Sequence, residues 1–227
     1  MALYLGNNKV SMKSGYTTTG FKEFLENGGK FAYSYYTDLT GILKYSDTSN
    51  VTDMQYMFSY CYELNNIPLL DTSNVNNMLY MFSRCYKLAT IPKLETSNVT
   101  NMSYMFSDCY KLSTIPKLDT HNVTNMRGMF SYCNSLTSIP QLDTSSATNM
   151  SYMFNGCSKL TEIHITGMKV SFNITSSTLF TREALVEILN NLATITTTEK
   201  LTMGSTNLAK LTDEDKSIAT NKGWTLA

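Results

Sequence analysis

The sequence predicts a curved α/β solenoid of five 24-residue strand–helix units held between two caps. Three observations predict it. Self-similarity at a fixed period marks a repeat architecture, and here units begin at Asp47, Asp71, Glu95, Asp119 and Asp143, each 24 residues after the last. Ten of the 14 methionines occupy two slots of the unit, and all four prolines occupy one. The shared pattern, D-T-S-N-V-T-x-M-x-Y-M-F-S-x-C-Y-x-L-x-x-I-P-x-L, puts a helical apolar period before a short extended run.

In residues 71–85 the apolar Val75, Met78, Met81, Phe82 and Cys85 recur at three and four, which is one stripe of a helix. Thr72, Ser73 and Asn74 precede it with capping oxygens. Tyr80 and Arg84 fall on the opposite side. The second half, LATIPKL, is too short for a helix. Proline lacks a ladder donor, so the strand there is expected to stop near Ile91. The fifth unit carries His164 in the proline slot, which predicts a different stack edge. A short strand and a short helix bury a core only when stacked on copies of themselves. Strands stack about 4.8 Å apart and helices about 8–10 Å. The helical edge is therefore expected to be the wide one, with strands on the concave face.

The domain reading follows. Residues 1–46 form an N-terminal cap with a leading half repeat, residues 47–166 the five units, and residues 167–227 a C-terminal cap of degenerate strand–helix units. Within the first cap, FKEFLENGG (21–29) reads as a helix, FAYSYY (31–36) as a strand, and LTGILKYS (39–46) as the strand half of a repeat. Within the second, residues 182–192 read as a helix and 201–204 as a strand. Thr212 to Asp215 read as a capping box, Gly223 as a helix stop, and Trp224 and Leu226 as a final strand.

Composition removes several function classes. Formal net charge is zero and 16% of residues are charged, with no basic run. A phosphate-binding surface needs clustered Lys and Arg, so nucleic acid is not an expected partner. No apolar run is long enough to span a bilayer. The opening MALYLGNNKVSMKSG lacks the apolar core of a secretory signal peptide.

Cys61, Cys85, Cys109, Cys133 and Cys157 stand at a constant interval of 24. Metal ligands cluster closely or pair with histidine, and the sequence has only His121 and His164, so no metal or cofactor is expected. A nucleophile needs an activating base, and none repeats with the thiols. Each cysteine continues the apolar stripe, and cysteine is among the most buried residue types. A reduced, buried ladder is expected. The Asp/Glu column supplies one carboxylate per unit, too few for calcium, and is read as stabilising exposed amides. The Asn-x-Ser/Thr sequons at Asn50, Asn98, Asn122 and Asn149 follow from the repeat and are not read as glycosylation sites.

Two repeating rows lie outside the core. Thr90, Thr114 and Ser138 form a hydroxyl row beside the short strand, with Lys93 and Lys117 just past the prolines. Tyr80 and Tyr104 belong to a second row, with Tyr56 and Tyr152, that Gly128 interrupts. Such a row either presents aromatic surface to sugars or protein or packs against itself. No cluster for catalysis stands apart from the repeats, so the chain is read as a non-enzyme.

The run ETSNVTNMSYMFSDC (95–109), followed by KLSTIPKL (111–118), resembles the leucine-rich repeats of BspA-type bacterial surface proteins. The resemblance covers about residues 39–166. It implies a leucine-rich-repeat solenoid and a recognition or adhesion protein at the cell surface or outside the cell, binding protein or glycan. A rival from another class is a structural or assembly protein of a phage tail or intracellular scaffold, since the opening YLGNNKVSM resembles the start of some phage tail-associated proteins.

Overall fold

The computed structural model describes residues 46–227 together with the strands β1 (Leu3–Leu5) and β2 (Asn8–Met12). The helix expected over 21–29, the strand over 31–36 and most of the leading half repeat (39–45) lie outside the described residues. β1 and β2 pair antiparallel, and β2 pairs antiparallel with β3 (Ser46–Asp47) through Ser11↔Asp47 and Met12↔Ser46.

From Asp47 onward each 24-residue unit is one coil, and successive coils bond in register. Parallel bridges link Asp53, Asn77, Asn101, Asn125 and Asn149 from coil to coil. The expected helix in each unit is absent: residues 79–84 and their counterparts are consecutive turns. The amides alternate between two duties. Met81, Ser83 and Cys85 donate to the carbonyls three residues back, Met78, Tyr80 and Phe82. Met78, Tyr80, Phe82 and Arg84 donate instead to Asn101, Ser103, Met105 and Ser107 of the next coil, at 2.7–3.0 Å.

Spacing between coils explains why turns replace a helix. Neighbouring helices need about 8–10 Å, whereas equivalent tyrosine rings of adjacent coils are 4.8–5.1 Å apart. The turn ladder reaches the next coil at that short spacing and leaves half its amides to close local turns. The apolar pattern also continues past the supposed helix, at Leu88, Ile91 and Leu94. That spacing of three matches the bonds to the third residue back and drifts off a helical face. The wide helical edge expected above therefore does not form.

The strand half differs as well. Residues 88–94 and 112–118 are irregular, and Pro92 and Pro116 offer no amide there. The Ser113 amide donates to the Ala89 carbonyl at 3.1 Å, and past the prolines a side chain does the bridging. Thr72 Oγ1 donates to the Glu95 carbonyl and accepts from the Glu95 amide, both at 2.8 Å. Thr48, Thr120 and Thr144 reach the carbonyls of Asp71, Asp143 and Thr166 in the same way. All of these threonines are buried, so Thr72 is a staple between coils and not a helix cap. Among the proline halves of the units, only β4 (Ser138–Asp143) and β5 (Glu162–Thr166) pair as strands, parallel, where His164 stands in place of proline. The register shifts between Ile139 and Leu142, which accommodates Pro140.

The interior is a set of columns. Phe58, Phe82, Phe106, Phe130 and Phe154 are fully buried and stack with centroids 5.3–6.0 Å apart. Both methionine slots and the valine, leucine and isoleucine slots fill the space around them.

After β5 the chain alternates short elements that cover the last coil. β6 (Phe172–Asn173), β7 (Glu199–Thr202) and β8 (Trp224–Leu226) form a parallel sheet in that order. α1 (Arg182–Asn191) is capped by Thr181, and α2 (Ser205–Leu208) is a single turn. α3 (Asp213–Thr220) opens on the capping box of Thr212 and Asp215. The strand expected at 201–204 runs two residues earlier, and beyond Thr202 the Met203 and Gly204 amides both donate to the Ala227 carbonyl.

Candidate recognition faces

The turn side carries two tyrosine columns. Tyr56, Tyr80 and Tyr104 stack at 5.1 and 4.8 Å with planes within 9°. Tyr62, Tyr86 and Tyr110 run beside them at 4.9 and 4.8 Å. Tyr56, Tyr80, Tyr104 and Tyr152 all hold φ between 54° and 61°. That left-handed backbone costs a side-chain-bearing residue roughly 1–2 kcal/mol, and an offset aromatic pair returns about 0.5–1.5 kcal/mol. At Tyr56, Tyr80 and Tyr104 stacking thus offsets much of the strain that the turn ladder imposes. It also occupies the ring faces, so the column presents edges and hydroxyls. Burial, then the neighbouring Tyr104 and Tyr56, pushes the Tyr80 hydroxyl above its ordinary pKa.

Gly128 takes the tyrosine slot in the fourth coil, and the Tyr104 ring lies 2.3 Å from where a Cβ would stand. Arg127 fills the break. Its Nε donates to the Tyr104 hydroxyl at 2.9 Å, and its guanidinium sits 5.8 Å from the Tyr104 centroid and 5.5 Å from that of Tyr152.

Beside the first column runs a groove of about 480 Å³, lined by Tyr80, Tyr104, Arg84, Asp108 and Tyr132 among others. Sequence reasoning found its tyrosine wall and missed its middle. Arg84, Asp108 and Tyr132 occupy the varying slot between the repeated serine and cysteine, and that variation was the available signal.

The proline side carries a second groove of about 440 Å³, lined by Lys93, Lys117, Gln141, Glu95, Asp119 and His121 among others. Lys93 Nζ is 2.7 Å from Glu95 Oε1. His121 Nδ1 is 2.6 Å from Asp119 Oδ1, and this contact holds the Asp119 carboxyl below its ordinary pKa. Thr90 and Thr114 are exposed and Ser138 is half-buried, and none of the three lines this groove. The lysines thus line this groove and the hydroxyl row does not. Asp71 accepts from the Ser73 amide at 3.0 Å, and Asp143 from the Ser145 amide at 2.8 Å, so the carboxylate column fixes corner turns.

Cys61, Cys85, Cys109, Cys133 and Cys157 are fully buried free thiols. Each Sγ from Cys85 to Cys157 donates to the phenylalanine carbonyl of the preceding coil, as Cys109 does to Phe82 at 3.1 Å. Burial pushes the Cys85, Cys109 and Cys133 thiols up, and that of Cys157 up to about 12. Among the described residues no group of three or more His, Cys, Asp and Glu is placed to hold a metal ion. Among them, too, no helix is long and apolar enough to cross a membrane.

These observations define a repeat protein of in-register coils with two grooved faces. The family described as Mycoplasma protein of unknown function, DUF285, matches residues 30–116 and 111–210, and the chain belongs to this family. Neither the curated proteins nor the solved structures include a significant match.

Proposed function

We propose that this chain is a non-enzymatic recognition protein, a solenoid of the BspA leucine-rich-repeat type that binds a protein or glycan outside the cell through its repeat faces. The observation that carries the reading is the tyrosine-lined groove on the turn side. Exposed aromatic residues with a polar handle are the side chains most used for such contacts. Equivalent contacts repeated along one axis also let weak sites add by avidity.

The test is a screen of the purified chain against immobilised glycans and extracellular-matrix proteins, with two variants beside it. One replaces Tyr80 and Tyr104 by Ala. The other replaces Thr90, Thr114, Lys93 and Lys117 by Ala. Saturable binding lost in the first variant alone, with its thermal transition retained, supports the tyrosine face. Loss in the second alone moves the site to the proline side. No saturable binding in either class of ligand sinks the reading.

A further inference from the structure

Copying from coil to coil accounts for the tyrosine columns whether or not they bind anything. One slot escapes that account. In the slot just before the repeated cysteine, successive coils carry Tyr60, Arg84, Asp108, Tyr132 and Gly156. All five hold positive φ, from 60° to 76°. Glycine suits that backbone best, yet four coils place a large or charged side chain there. Strained positions that keep such side chains cluster at functional sites.

The two central members make a pair with capacity to spare. Arg84 Nε lies 3.6 Å from Asp108 Oδ2, beyond hydrogen-bond distance, and the guanidinium sits 4.7 Å from the Tyr60 ring centroid. Among the described residues the guanidinium makes no hydrogen bond, so its donors remain available. Asp108 already accepts from the Tyr110 hydroxyl at 3.1 Å and from Ser107 Oγ at 3.2 Å. Together the pair gives donors and acceptors side by side with no net charge.

Three features narrow the ligand. The groove follows the coil axis with a step of 4.8–5.1 Å, the spacing of the rings in its wall. An extended chain of equatorially linked pyranoses advances by a closely similar step per ring. The coil amides are spent on the next coil, so the face offers no strand edge for a peptide to extend. An acidic chain would meet Asp108 beside an arginine that Asp108 already compensates.

We infer that this groove binds a neutral, linear, β-1,4-linked glycan, one ring per coil, and that Arg84 and Asp108 read its hydroxyls. This rests on the recognition reading above and deepens it. Calorimetric titration with cello- and fully N-acetylated chito-oligosaccharides from dimer to hexamer tests it, with hyaluronan fragments as the acidic comparison. Saturable binding that tightens with length up to the tetramer, and weaker binding of hyaluronan, is the expected result. Arg84→Gln should lose roughly tenfold in affinity, the worth of one charge-assisted hydrogen bond, with an unchanged melting transition. Tyr132→Ala, in the fourth coil's share of the groove, serves as the second variant should Arg84→Gln fail to fold. Tighter binding of hyaluronan, or full affinity in the folded variant, overturns the inference. Binding of matrix proteins without any of these oligosaccharides overturns it too, while leaving the recognition reading standing. Silence toward both ligand classes removes both.

Discussion

Thr96 and Asp119, in adjacent coils, hold one another by two hydrogen bonds. The Asp119 amide donates to Thr96 Oγ1 at 2.8 Å, and the hydroxyl donates to the Asp119 carbonyl at 2.9 Å. Thr96 is buried. Thr96→Val keeps the shape and leaves both backbone groups unpaired, at an expected cost of about 1–3 kcal/mol. Thr96→Ser keeps the hydroxyl and should lose less. Urea unfolding of the two variants separates the outcomes, and equal stabilities would show that the staple contributes nothing.

Phe106 lies between Phe82 and Phe130, at 5.6 and 5.8 Å, with no exposed surface. Phe106→Ala should cost about 3–5 kcal/mol, the range for a buried aromatic truncated to a methyl. An unchanged thermal midpoint would place that ring outside the core.

The thiols should be silent in the native state. Cys61, Cys85, Cys109, Cys133 and Cys157 are buried, and it is the thiolate that reacts. Alkylation by iodoacetamide at pH 8 should modify none of these five within the time that labels all of them in guanidinium. Rapid native labelling of even one would contradict the packed ladder.

Stability should fall in acid through one identifiable pair. Arg182 Nε and a terminal nitrogen reach Asp215 at 2.8 and 2.7 Å, and the Thr212 amide donates to the same carboxylate. Those bonds, the arginine's foremost, hold the Asp215 carboxyl below its ordinary pKa. A lowered folded pKa gives stability that is present above the unfolded value of about 3.9 and is lost as pH falls through the folded one. Asp215→Asn should therefore melt lower than the parent at pH 7, with the gap closing toward pH 2. A gap that stays constant with pH would remove the carboxylate from the account.

What was legible in the sequence was the period and the division between inside and outside. Val75, Met78, Met81, Phe82 and Cys85 are all buried, whether the backbone between them is helix or turn. The secondary structure was not legible. A spacing of three and four fits a helix locally, and only the distance between coils decides against it. Thr72 misled for a related reason: a hydroxyl before an apolar run reads as a cap, and its partner, Glu95, stands 23 residues away. Of the faces, the Tyr80 and Tyr104 column was visible because it repeats, while Arg84 and Asp108 were overlooked because they do not.

The staples and ladder bonds have a kinetic consequence. The side-chain bonds that join successive coils span between 22 and 27 residues, from Thr144–Thr166 to Cys109–Phe82. Adding a coil adds contacts of the same sequence separation, so relative contact order falls as the array lengthens. Folding speed tracks contact order across small proteins. Insertion of another 24-residue unit should thus deepen the core without lengthening the search for it, and an array of this kind can grow by duplication with little kinetic penalty.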